Sequence, residues 1–131
     1  MPNKDSEQKN YLELQLMVSH IQQLQEQFNL VSNQINELSS QIEYLGEFEE
    51  VKPNSRLFAQ VLPGIFIKAN LEDKDSVAIN VGSNVIVKKS INGAKQLLSS
   101  KLEELREVNT NIKEQILLLI KDLEDKQQPL E

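Results

Sequence analysis

Apolar residues recur at alternating spacings of three and four along the first third of the chain. The series consists of Leu14, Met17, Ile21, Leu24, Phe28, Val31, Ile35, Leu38, Ile42 and Leu45. Most of the positions between them are Gln, Asn, Glu or Ser. This is the a/d pattern of a coiled-coil helix, which has one narrow apolar seam. Such a helix needs a partner, because most helical stability comes from packing of the apolar face.

The last third of the chain carries a series with the same alternation. It consists of Leu98, Leu102, Leu105, Asn109, Ile112, Ile116, Leu119 and Leu123. If the two helices fold back on each other, one antiparallel register pairs Ile42 with Leu98, Leu38 with Leu102, Phe28 with Ile112 and Met17 with Leu123. Because the two seams agree along their whole length, we predict an intramolecular antiparallel helical hairpin rather than two separately dimerising coils.

Asn109 interrupts the second seam and lies opposite Val31 in this register. We expect no polar residue opposite it. A polar residue at a core position weakens a coiled coil while fixing its register. We favour this structural role for Asn109, and a role in contacting a partner is the alternative.

The period changes between the two helices. A charged segment that contains Pro53 predicts the end of the first helix near residues 46–50. Four β-branched segments follow, at 57–62, 65–71, 77–81 and 85–89, with turn residues at 63–64 and 82–84. Ser90 is the expected N-cap of the second helix. We predict an α+β fold in one domain over 1–131, with helices at about 10–50 and 90–127 and two β-hairpins at 56–90.

Four short strands cannot close a barrel by themselves, and their edges are rich in Val and Ile. Exposed edges of this kind require neighbours. We therefore predict that the strands form the oligomerisation surface, with contacts from Leu57, Val61, Ile65, Ile67, Val77, Ile79, Val81, Val85 and Val87.

Composition narrows the class of protein. The chain has 131 residues, 39% of them hydrophobic and only 5% aromatic, which is typical of one extended helical domain. A net charge of -6 without a basic cluster argues against nucleic acid as a partner. The absence of cysteine, the short apolar runs and the polar amino terminus predict a soluble cytoplasmic protein that does not contact a membrane.

The residues that enzymes use are scarce. The chain has one histidine, His20, no cysteine and no glycine-rich phosphate loop. Asp73 and Asp75 lie in a predicted turn, where turn chemistry explains them. We therefore predict no catalytic, cofactor or metal site. A coiled-coil spacer or tether that oligomerises through its strands is the principal alternative function.

Two segments of the insert resemble a known family. Residues 61–69 are similar to the first β-hairpin of prefoldin α-type subunits, and residues 77–90 are similar to the second. The similarity covers nearly the whole chain, and two hairpins indicate the α class because β-type subunits carry one. Asn84 stands where relatives often have glycine. Since asparagine tolerates positive φ, we expect the turn to be retained.

The resemblance implies an ATP-independent holding co-chaperone. It implies a heterohexamer of two α-type and four prefoldin beta-type subunits, whose strands join into a double β-barrel platform with projecting coiled coils. It also implies that the ends of the coiled coils hold non-native client proteins and deliver them to a group II chaperonin without a cofactor.

The residues at the ends of the two helices fit this expectation. In the predicted register Leu14 lies opposite Lys126, so the seam lacks an apolar mate there. We predict a client-binding tip formed by Tyr11, Leu12, Leu14, Leu16, Met17, Leu117, Leu118 and Ile120. Alternatively, the last three side chains pack against Val18 or a neighbouring helix.

Overall fold

The computed structural model describes residues 4–127 and contains two long helices with four strands between them. The elements are α1 (Lys4–Phe48), β1 (Arg56–Leu62), β2 (Ile65–Asn70), β3 (Val77–Asn80), β4 (Ile86–Lys89) and α2 (Ile91–Gln127). This order confirms the predicted α+β class. Helix α1 begins before the apolar seam, in a polar segment that is rich in strong helix formers.

The chain divides into two compact units. Unit 1 combines the chain up to Asn36 with the chain from Glu103 onward, and unit 2 spans Glu37–Leu102. Unit 1 is formed by helical segments alone, whereas unit 2 contains both hairpins and the adjoining ends of α1 and α2.

The core of unit 1 is the predicted seam. Seam residues of both helices are buried together, namely Ile21, Leu24, Ile112 and Ile116, and five more apolar side chains pack against them. Two polar contacts fix the antiparallel direction. Asn109 Nδ2 donates a hydrogen bond of 2.8 Å to Ser32 Oγ, and Lys126 Nζ lies 3.5 Å from Glu13 Oε2. Within unit 1, the predicted antiparallel pairing is therefore confirmed.

The contact of Asn109 corrects the expectation that no polar residue opposes it. Its side chain is only 9% exposed, and Ser32 follows Val31 on α1, at an e position that flanks the seam. The prediction failed because it considered only a and d positions. Asn109 Oδ1 is buried and receives no hydrogen bond from the described residues. Asn109 therefore makes one hydrogen bond across this layer of the core and leaves one acceptor unsatisfied. The unsatisfied acceptor lowers the stability of the unit.

The first hairpin of unit 2 pairs β1 with β2 around Pro63 and Gly64. Gly64 has a φ of 78°, and proline followed by a positive-φ glycine is typical of a type II turn. Such turns splay two strands apart unless the pairing adjusts. The register shifts between Gln60 and Leu62, so Val61 is the bulged residue. The bulge lets the strands pair although the turn has the less favourable twist.

The second hairpin pairs β3 with β4, from Val77 opposite Lys89 to Asn80 opposite Ile86. Its turn has positive φ at Ser83 (51°) and Asn84 (60°). Val85 N donates to Gly82 O at 2.9 Å, as in a type I′ turn, which matches the strand twist. The expectation that Asn84 adopts positive φ is confirmed.

Polar contacts lie at the end of α1 and at the start of α2 in unit 2. Lys74 Nζ donates to Glu49 O at 3.0 Å, which satisfies a carbonyl next to the end of α1, and Lys95 Nζ lies 2.8 Å from Glu49 Oε1. At the start of α2, Gly93 N donates to Ser90 Oγ at 3.0 Å. The predicted N-cap is therefore confirmed.

Candidate functional site

The helix ends in unit 1 expose large apolar side chains that have no mate in the seam. The exposed side chains of this tip surface are Tyr11, Leu12, Leu16, Leu117 and Leu118, each between 56% and 71% exposed. They lie outside the a and d positions, so pairing of the two helices does not cover them. Since seven apolar residues are well buried in the part of the chain that the structure describes, this is a large exposed apolar area.

Three other predicted tip residues are less exposed. Leu14 and Met17 lie in the seam and are half-buried. Ile120 is half-buried and packs against the core of unit 1. Its e position explains this, because e positions border the seam, whereas Leu117 and Leu118 point further from it. These three residues therefore do not belong to the exposed part of the tip surface.

Two shallow depressions lie on unit 1. One, of about 610 Å³, is lined by Glu7, Gln8, Tyr11 and Leu12. The other, of about 470 Å³, combines apolar Phe28, Ile116 and Leu117 with polar Gln25, Asn29 and Lys113. Gln15 Nε2 donates to the Tyr11 hydroxyl at 3.1 Å, which orients that ring along α1. Both depressions are lined by apolar and polar side chains together.

The strands of unit 2 carry the second exposed apolar surface. Of the residues predicted to mediate oligomerisation, Val61, Ile65, Ile67, Val81 and Val85 are exposed. The remaining four, Leu57, Val77, Ile79 and Val87, are half-buried. Val81 and Val85 lie just outside β3 and β4, but Val81 N donates to Val85 O at 2.9 Å and continues the ladder.

Sequence reasoning missed the opposite face of the hairpins. On that face Phe58 is 70% exposed, and Phe66 and Ile86 are more than half exposed. The available signal was the run of consecutive apolar residues at 57–59 and 65–67, which is typical of strands that are covered on both faces. The strand surface, defined as the exposed apolar residues of the hairpins, therefore extends over both faces.

Polar groups offer little chemistry in the described part of the chain. His20 is exposed on α1. Between residues 4 and 127, no three side chains of His, Cys, Asp or Glu approach one another closely enough to bind a metal ion. Asp75 N donates to Asp73 Oδ1 at 2.7 Å, so this acidic pair forms the expected Asx turn. Over the same residues, neither helix has the length of apolar sequence that would cross a bilayer.

Comparison with known proteins shows that this chain is similar to members of one family. The family model for the prefoldin subunit matches residues 18–131. Prefoldin subunit alpha of Thermofilum pendens is 24% identical over 96 residues, which are 73% of this chain and 74% of that protein. The subunit alpha of Methanobrevibacter smithii is 31% identical over 84 residues, or 64% of this chain and 57% of that protein.

A third relative and a solved structure agree with this assignment. Prefoldin subunit alpha of Pyrococcus horikoshii is 30% identical over 97 residues, which are 74% of this chain and 64% of that protein. A chain in the cryo-EM structure of filamentous PFD from Methanocaldococcus jannaschii has the same fold, with a TM-score of 0.77, 16% identity and coverage of 85% of this chain and 92% of that one. The chain therefore belongs to the prefoldin family, as an alpha-type subunit.

Proposed function

We propose that this chain is a subunit of an ATP-independent holding co-chaperone that captures non-native proteins on the tip surface. Membership of the prefoldin family supports a chaperone-type, non-enzymatic function. The observation that carries the finer proposal is the exposure of Leu12, Leu16 and Leu118, each of which is more than half accessible. We further propose that captured clients are delivered to a group II chaperonin.

Physical chemistry supports apolar capture of clients without a fixed shape. Hydrophobic contact is non-directional and scales with the area removed from water. Isolated leucines on two helices can therefore hold many different unfolded segments. Met17, half-buried on the same helix as Leu12 and Leu16, adds an unbranched and adaptable side chain.

We propose that the strand surface binds other subunits rather than clients. Each hairpin forms a separate two-stranded sheet, and an isolated two-stranded sheet is marginally stable in water. Strands from neighbouring subunits would cover both faces and pair with the free edges. We therefore propose a hexamer with beta-type subunits, two of this chain to four of the other, that is joined through a β-barrel platform.

Light scattering tests the holding function. A chemically denatured client is diluted into buffer that contains this chain co-assembled with a beta-type subunit, with and without ATP. We expect suppressed aggregation that is the same under both conditions, because no step uses nucleotide. If the assembled complex does not suppress aggregation, the holding function is contradicted and the tether alternative is favoured.

A variant with serine at four tip positions locates the client site. The substituted residues are Leu12, Leu16, Leu117 and Leu118, all exposed, so the buried seam stays intact. We expect normal assembly by native mass measurement but at least a several-fold loss of aggregation suppression, because each serine removes an apolar contact area.

A matched control uses exposed apolar residues of the same helices away from the tip surface. Leu30 is 64% exposed on α1 and Val108 is 44% exposed on α2. The Leu30→Ser, Val108→Ser double variant should suppress aggregation as well as the native complex does. Equal loss in the control and in the tip variant would contradict a client site at the tip surface.

A further inference from the structure

The first turn of α2 contains the only Asn-Gly pair of the chain, Asn92-Gly93. Asn92 is exposed, and helix α2 begins one residue earlier, at Ile91. An asparagine side chain can be attacked by the backbone nitrogen of the next residue. Glycine obstructs this attack least, because it has no Cβ and allows the widest range of backbone conformations.

The N-cap engages the nitrogen that would have to attack. Gly93 N donates to Ser90 Oγ at 3.0 Å, and Ala94 N donates to Ser90 O at 2.8 Å. While these bonds hold, the Gly93 N–H is a hydrogen-bond donor in a helical turn rather than a free nucleophile. Attack therefore requires that the first turn of α2 opens, and the cap opposes this opening.

We propose that Asn92 is a site of spontaneous deamidation whose rate is set by the Ser90 cap. After local opening and loss of its proton, Gly93 N bonds to Asn92 Cγ and the side-chain nitrogen leaves as ammonia, which gives a succinimide ring. One water molecule then opens the ring. Cleavage at one carbonyl gives aspartate, and cleavage at the other gives isoaspartate, in which the main chain runs through the former side-chain carbon.

The two products have opposite consequences for unit 2. Aspartate adds a negative charge to a first helical turn that has no acidic residue, which is favourable near a helix N-terminus. Isoaspartate lengthens the backbone by one carbon between Ile91, 7% exposed, and Ala94, 0% exposed. With the longer backbone between them, Ile91 and Ala94 cannot both keep their buried positions. Formation of isoaspartate therefore weakens the junction of β4 with α2.

Peptide mapping by mass spectrometry of the full chain, aged in mildly alkaline buffer, tests the proposal. We expect a gain of about one mass unit at Asn92, with aspartate and isoaspartate separated by chromatography. Asn111, on the exposed side of α2 with Ile112 after it, is the internal control and should stay unchanged. If Asn92 converts no faster than Asn111, the proposal is overturned.

Two substitutions of Ser90 test the control by the cap. Ser90→Ala should accelerate conversion of Asn92 about fivefold, the factor that ~1 kcal/mol of lost capping gives, whereas Ser90→Thr keeps a hydroxyl and should keep the native rate. An unchanged rate in Ser90→Ala would overturn the role of the cap.

Gly93→Ala distinguishes the chemical step from loss of folding. The added Cβ would lie 3.1 Å from Ser90 Oγ, so this variant crowds the cap and also obstructs the nucleophile. We expect conversion to fall below the native rate despite the crowded cap. A rise would show that opening alone governs the reaction and would overturn attack by the nitrogen of residue 93.

Discussion

Units 1 and 2 contain similar apolar residues but differ in whether these residues are buried within the chain. In unit 1, seam residues such as Leu24 (6% exposed) find their mates in the other helix of the same chain. In unit 2, strand residues such as Phe58 (70% exposed) find none. A helix has one apolar stripe, which a single partner covers. A two-stranded sheet has two faces and two edges. The two hairpins of this chain have too few and too short strands to cover all of them.

This difference separates folding from assembly within one chain. The coiled coil completes its core without another subunit, so its stability depends on packing within the chain. Within each hairpin the two strands pair with each other, but their outer edges and many of their apolar side chains stay uncovered. Substitutions in the buried seam of unit 1 should therefore change the free energy of unfolding, and substitutions on the strand surface should change assembly.

The largest effect is expected on the strand surface. Ile67→Lys places a charge at an exposed strand position opposite Ala59, and Val87→Lys places one at a half-buried strand position opposite Ile79. Burial of an unpaired charge at a subunit interface costs several kcal/mol. We expect the hexamer mass to be lost in native mass spectrometry while the helical circular dichroism remains.

The control places the same charge in unit 2 but away from the strands. Glu72 is exposed in the link between the two hairpins, so Glu72→Lys should assemble normally. A normal hexamer mass for Ile67→Lys would contradict the role of the strand surface.

The next largest effect is expected in the seam of unit 1. Leu24→Ala removes a buried side chain and should lower the free energy of unfolding by about 2–4 kcal/mol in urea titration. Leu30→Ala is the matched control, because Leu30 lies on the same helix but is 64% exposed. We expect a change of about 0.5 kcal/mol or less there. Similar losses in both variants would contradict the assigned seam.

The contact between Asn109 and Ser32 is expected to make a smaller contribution to the free energy of unfolding of the same unit. Ser32→Ala leaves Asn109 Nδ2 without its partner, and the unpaired buried donor should cost about 1–3 kcal/mol. Replacing both partners, as Ser32→Ala with Asn109→Leu, removes the buried polar groups together. Urea titration should show this double variant to be at least as stable as the native chain. If it is less stable than Ser32→Ala alone, the assigned penalty is wrong.

The smallest effect is expected in the turn of the second hairpin. Asn84 has a φ of 60°, and glycine adopts this conformation without steric cost. Asn84→Gly should slow hydrogen exchange at Val85 by an amount that corresponds to about 1 kcal/mol or less. Asn84→Val should accelerate it, because a β-branched residue is strained at positive φ. Equal exchange in both variants would show that this turn does not limit opening of the hairpin.

The regular repeats made most of the fold predictable. The seam at 14–45 and the series at 98–123 predicted both helices and their antiparallel pairing, which the contacts of Asn109 and Lys126 confirm within unit 1. Turn residues located both hairpins. The partner of Asn109 was missed because Ser32 flanks the seam, and a polar residue at an e position has no periodic signal that distinguishes it from solvated neighbours.

Less of the candidate site was predictable. The exposure of Leu117 and Leu118 follows from their positions outside the seam, but the packing of Ile120 depends on how closely the helices approach. Alternation within strands selected one face of each hairpin, and the exposed Phe58 and Phe66 on the other face were overlooked. Sequence periodicity indicates which residues share a face, whereas exposure depends on which faces remain uncovered.

Hydrogen–deuterium exchange of this chain, alone and assembled with a beta-type subunit, tests the contrast between the two units most directly. We predict that amides of β1 to β4 exchange quickly in the isolated chain and become strongly protected on assembly. Amides around Leu24 and Ile112 in the seam should change little. Equal protection of the strands in both states, or a gain of protection confined to the seam, would contradict the account.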